Sequence, residues 1–148
     1  MLEERLAQDM TASLKSGQAD RLSTLRMMRS QLLLERKKDA SKQHLADAEV
    51  IAVLSAYAKK LKESASEYEK LGKAAEAGKI REELRVVQEY LPTPLSEAET
   101  KDLVAQVLKE LSISSIKEFG RAMKELQARA QGRADGKLMS ELVRASLD

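Results

Sequence analysis

The residues of this chain best suited to chemistry stand in one short run, Gly132-Arg133-Ala134-Asp135-Gly136-Lys137. Two glycines, two cations and a carboxylate so close together could cradle a phosphate. The run is not a nucleotide loop. Its glycines stand one residue too close, Leu138 replaces the serine or threonine that would hold magnesium, and a helical pattern rather than a strand precedes it. What remains is a glycine-relieved turn feeding a helix N-terminus, where free N–H groups and the helix dipole favour an anion. A phosphate of a polynucleotide backbone would suit that place, with Arg133 and Lys137 beside it. A structural account stands next to it: Gly132 ends one helix at positive φ, Asp135 caps the next, and Gly136 allows close backbone approach. Asp135 itself occupies the anion position, which weighs toward the structural account.

Other chemistry is sparse. Cysteine is absent, so there is neither a disulfide framework nor thiol catalysis. The single histidine, His44, lies in a polar stretch, expected at the surface, and one histidine without cysteines or a carboxylate pattern makes no metal site. The run Ser112-Ile113-Ser114-Ser115 lacks the glycine-rich surroundings of a serine–lysine amidase site and reads as a link followed by an N-cap. No catalytic residue, cofactor or metal is expected.

The elements that must hold the Gly132–Lys137 turn are two short amphipathic helices. Ile116, Phe119, Met123, Leu126 and Ala130 form one apolar stripe at three- and four-residue steps, opened by a Ser115/Glu118 capping box. Leu138, Leu142 and Val143 give the following helix its buried side. Before them, Ser96 and Glu99 form a second capping box, which opens a helix carrying Leu103, Val104, Val107, Leu108 and Leu111 inward. Pro92-Thr93-Pro94 stops the element ahead of that and marks a boundary, giving an N-terminal helical domain 1–92 and a compact three-helix unit 93–148.

In 1–92 the periodicity predicts a helix from Leu2 to about Lys15 ended by Gly17. A second runs to about Lys38, capped by Asp20, with Leu22, Leu25, Met28, Leu32 and Leu33 as its stripe. Met27 and Leu34 point the other way, the pattern of a helix enclosed on two sides. Arg29 and Arg36 fall within the main apolar arc and Arg26 at its edge. Each either snorkels along its aliphatic stem or needs a carboxylate partner. After a polar loop over 38–46, Asp47 caps a long helix. Val50, Leu54, Tyr57, Leu61, Ser64, Tyr68 and Leu71 make its heptad seam, broken at Gly72 or Gly78. Ile80, Leu84, Val87 and Leu91 repeat those steps, so a long antiparallel hairpin is expected. The fold class is all-α.

Composition agrees. The chain has 148 residues, 34% charged, 3% aromatic, with two prolines. It holds no apolar run long enough to span a membrane and no signal-peptide pattern, so a cytoplasmic protein is the expectation. Net charge is only +2, but cations cluster: seven against two acids from Arg21 to Lys42, six against three from Lys117 to Lys137. Such patches are either solvated helix faces or sites for a modest anionic partner.

The residues also carry a resemblance. Gly120-x-x-Met123 and Gly132-Arg133-Ala134-Asp135-Gly136-Lys137-x-x-Ser140 with Val143 resemble the C-terminal signature of the GatB/YqeY family. Leu25-Arg26-Met27, Val50–Leu54, Glu89-Tyr90-Leu91-Pro92 and Leu95-Ser96-Glu97 are similar to it as well. One departure is Gln127-Ala128, where relatives tend to carry Met-Pro, so the first helix of the pair is expected to run on toward Gln131. The resemblance implies an all-helical protein related to the tRNA-contacting tail of the tRNA-dependent amidotransferase B subunit, a carbon–nitrogen ligase using glutamine. It implies no amidase and no carboxylate-activating domain in this chain. The expected function is therefore a non-catalytic accessory module. It would bind tRNA or another structured RNA by backbone and shape, through Arg121, Lys124, Arg129, Arg133 and Lys137, since so few aromatics leave little for base stacking. Alternatives are a protein-interaction module of the translation apparatus, or a component of glutamine-dependent amide transfer acting only with partner subunits.

Overall fold

A computed structural model describes residues 1–148. Seven α-helices form, with no strand: α1 Leu2–Lys15, α2 Ala19–Arg36, α3 Asp47–Lys70, α4 Ala74–Gln88, α5 Glu97–Glu110, α6 Phe119–Ala130 and α7 Gly136–Ser146. A 3₁₀ turn, Ile116–Glu118, leads into α6. The chain divides into two compact units, Met1–Pro92 and Thr93–Asp148.

In the first unit, Leu6 of α1, Leu25, Met28 and Leu32 of α2, Val50, Leu54 and Leu61 of α3 and Val87 of α4 make one core. α3 packs chiefly on α4 across the turn Leu71-Gly72-Lys73, where Gly72 takes φ +74°. Gly72 is thus the break, and Gly78 lies inside α4. The seam of α3 differs from the heptad expectation. Ala58 and Ala65 are buried with Val50, Leu54 and Leu61, whereas Tyr57 and Tyr68 are half-buried and Leu71 is exposed. Small side chains at the seam let a neighbouring helix come close, and the bulky rings move to its rim.

Several caps also differ. α2 starts at Ala19 with Gln18 as its N-cap, and Asp20 sits in the first turn, where its charge complements the dipole. α3 starts at Asp47 itself. Asp47 Oδ1 accepts the N–H of Leu2 at 2.9 Å, and the carboxylate of Glu49 accepts the N–H of Ala46 at 3.3 Å. A long-range bond thus replaces the local cap expected of Asp47. α4 ends at Gln88, short of Pro92, because Glu89 and Tyr90 already form a turn. The stretch 38–46 is not wholly polar in role: Leu45 is 2% exposed and joins the core. The second apolar side of α2 is not enclosed, with Met27 and Leu34 exposed.

In the second unit, Val104 and Val107 of α5, Ala122 and Leu126 of α6, and Met139 and Val143 of α7 close a core together with Ile113 from the α5–α6 link. α7 therefore buries Met139 and Val143, while Leu138 and Leu142 are half-buried. The Ser96/Glu99 capping box forms, both bonds at 3.1 Å. The Ser115/Glu118 box does not. Ser115 Oγ accepts the N–H of Lys117 at 3.2 Å and caps the 3₁₀ turn, while Glu118 faces Arg121. α6 consequently starts at Phe119.

Candidate nucleic-acid interface

The turn between α6 and α7 is built by backbone conformation. α6 ends at Ala130, and both Gln131 (φ +50°) and Gly132 (φ +76°) take the left-handed conformation. This reverses the chain, and the Arg133 N–H then donates to the Ala130 carbonyl at 2.9 Å. Asp135 Oδ1 accepts the N–H of Lys137 at 3.1 Å and opens α7. The N–H that would have faced a phosphate is thus satisfied by Asp135. A side chain added at Gly136 would meet nothing within 4 Å, so close approach to a neighbour is not what this glycine provides. Gly132, Asp135 and Gly136 connect helices.

The five cations expected from the sequence to meet RNA have different surroundings. Arg133 grips the segment that precedes α5: its Nε donates to the Thr93 carbonyl at 2.8 Å, and its own carbonyl accepts the N–H of Leu95 at 2.8 Å. Arg129 reaches two carboxylates, Glu110 at 2.6 Å and Glu125 at 2.9 Å. Hydrogen bonding to Glu110 and then Glu125 raises the Arg129 pKa. Arg129 in turn, with Gln106 next, holds the Glu110 carboxyl below its usual range. Arg121 lies 3.2 Å from Glu118, one turn away. Lys124 and Lys137 are exposed and make no ion pair.

These contacts distinguish cations held across helices from those left facing solvent. Arg129 projects near the α5 side of α6, roughly 140° around the helix from Lys124 at about 100° per residue. The shallow groove beside it is also lined by Glu99, Asp102 and Arg133, and carboxylates there repel phosphate. On the outer face of α6 the order is different. Arg121 and Lys124 of α6 follow Lys117 of the preceding 3₁₀ turn at steps of four and three, all exposed, with Glu118 as the one carboxylate engaged among them. Lys117 was not among the five cations expected from sequence; the same spacing would have found it. The unit as a whole carries nine basic and nine acidic side chains, so any attraction is local to that row.

Polar groups converge at one place in the first unit, where the buried Tyr90 hydroxyl donates to Asp9 and Arg5 stands over the ring. The buried polar side chains are Ser13, Thr24 and Thr100, and the two threonines bond back to carbonyls of their own helices, Thr24 to Asp20 and Thr100 to Ser96. No three His, Cys, Asp or Glu side chains stand close enough to share a metal ion. His44 is exposed, with Nδ1 3.5 Å from Glu3. No helix is long and apolar enough to cross a membrane.

An all-helical chain in two compact units, with exposed cations on the second, is the class of protein this architecture defines. The sequence model of the Yqey-like protein family matches residues 3–147, and the chain belongs to that family. No curated protein matches it.

Proposed function

We propose that the protein is a non-catalytic accessory module that binds tRNA, or RNA of similar shape, through its phosphate backbone. The observation that carries this reading is the exposed row of Lys117, on the 3₁₀ turn, with Arg121 and Lys124 of α6, and unpaired Lys137 as a further cation. The three cations span eight residues of the 3₁₀ turn and α6, roughly 10 Å along the axis, enough to face successive phosphates of one strand. Membership of the Yqey-like family, joined to the resemblance to an amidotransferase tail, supports tRNA as the first RNA to test.

Binding of this kind is electrostatic and insensitive to base sequence. With three or four contacts it is weak, and it falls steeply with salt. The expected result in a mobility shift with bulk tRNA is binding at low salt that is lost on charge reversal of Lys117, Arg121 and Lys124. Charge removal at Arg129 leaves it unchanged, because that guanidinium is already held by two carboxylates. No shift at low salt, or loss equally severe with Arg129→Ala, overturns the reading. On the same account the chain alone does not turn over glutamine, and a glutaminase assay of the purified protein checks this.

A further inference from the structure

The first unit carries a second surface, unrelated to the RNA reading. Between α1 and α2 runs an open groove of about 550 Å³. Its apolar floor includes Met10, Leu14 and Leu33, of which Leu14 is 63% exposed. It extends along α1 from Glu3 to Leu14, about 16 Å at 1.5 Å rise per residue.

The charges lining it are distributed unevenly. At the end near the start of α1, Arg36 donates to the Gln43 carbonyl at 2.8 Å, and Glu3 accepts the Leu45 N–H at 3.3 Å and faces His44, while Glu4 is exposed and unpaired. In the middle, Arg26 and Arg29 line the groove, exposed and without any carboxylate partner. Three residues apart on α2, they lie on one face, roughly one turn from each other. These two guanidiniums stand beside leucines with their charge uncompensated.

We propose that this groove docks an amphipathic helix of another protein, one whose apolar face is flanked by two carboxylates a turn apart. The leucine floor takes the apolar face, in the manner of helix-in-groove recognition. Arg26 and Arg29 take the two carboxylates through charge-assisted hydrogen bonds, stronger where the docked helix excludes water. The length admits about three turns of helix. An open trough of that length suits a helix better than a small ligand, which needs enclosure on most sides. An apolar floor equally disfavours a phosphate backbone. Glu3 and Glu4 at one end repel further acids there, so the partner's carboxylates belong at mid-helix, opposite Arg26 and Arg29.

The test uses the full chain and a fluorescein-labelled synthetic helix with a leucine face and two glutamates one turn apart at its centre. Two control peptides replace the glutamates by lysine or the leucines by serine. The glutamate peptide is expected to bind and to shift amide resonances of α1 and α2. Arg26→Glu with Arg29→Glu weakens it about tenfold or more and restores affinity for the lysine peptide. Both arginines are exposed, so the variant is expected to keep its fold, which circular dichroism checks; Arg26→Gln with Arg29→Gln gives a milder version of the same loss. Arg121→Glu with Lys124→Glu leaves peptide affinity unchanged, which separates this site from the RNA reading. No binding, binding indifferent to the Arg26 and Arg29 changes, or resonance shifts outside α1 and α2 overturns the proposal. So does displacement of the peptide by bulk RNA or by anionic vesicles in the Arg121→Glu, Lys124→Glu background.

Discussion

Arg133 donates through Nε to the Thr93 carbonyl at 2.8 Å, forty residues away in the chain. The same residue's carbonyl accepts the N–H of Leu95. One arginine thereby fastens the turn between α6 and α7 to the segment that precedes α5. This accounts for an arginine in the glycine-rich turn without any phosphate.

Arg133→Ala removes the side-chain bond and leaves the Leu95 backbone bond intact. The expected cost is about 1 kcal/mol of stability or less, since the bond is exposed. Urea unfolding would read it. tRNA affinity at a given salt should stay within about twofold of the unmodified protein once folding is allowed for. A large affinity loss without destabilisation would show Arg133 facing the ligand instead.

Leu126 is wholly buried in the core of the second unit. Leu126→Ala should cost about 2–5 kcal/mol there, through lost burial and the cavity left behind. We propose that the two units open separately, so hydrogen exchange would quicken in α5, α6 and α7 while amides of α1 to α4 keep their protection. Equal loss of protection in both halves would show one cooperative body.

Tyr90 is 3% exposed, its hydroxyl donates to the Asp9 carboxylate, and Arg5 lies 4.4 Å from its ring centre. Burial first, then the bond to Asp9, pushes its pKa well above the usual 10.0, against the opposing pull of Arg5 and Arg21. A group whose pKa is raised by folding gives stability that is complete below its unfolded value and disappears as pH rises beyond it. The stability difference between the protein and Tyr90→Phe should therefore be constant below about pH 10 and shrink above it. Thermal melts of the pair from pH 8 to 11 would measure this. A difference that grew with alkaline pH would contradict the assignment.

What could be read from sequence follows the range of the interactions involved. The Ser96/Glu99 box and the Asp135 cap depend on neighbours two or three residues away, and both form as the spacing indicates. The left-handed Gly17 and Gly132 are equally local. Asp47 was misleading because a distant N–H, that of Leu2, competes for its carboxylate. The α3 seam was misleading because a heptad count ranks tyrosine above alanine, whereas close packing buries Ala58 and Ala65. Leu45 was hidden by its polar neighbours. Among the cations, only tertiary structure could show that Arg129 meets Glu110 on another helix. Arg26 and Arg29 sat conspicuously near an apolar arc in the sequence; the groove on α1 and α2 is what gives that position meaning.

The central proposal is that positive charge on the 3₁₀ turn and outer face of α6 holds RNA by its phosphates. The most direct measurement is the salt dependence of tRNA affinity for the protein and for Lys117→Glu, Arg121→Glu, Lys124→Glu. The account predicts that log affinity falls with log salt at a slope of about −2 to −3 for the unmodified protein, as three contacts require, and that the triple variant shows neither the affinity nor the slope. An affinity indifferent to salt, or a triple variant that binds as well as the parent, would contradict it.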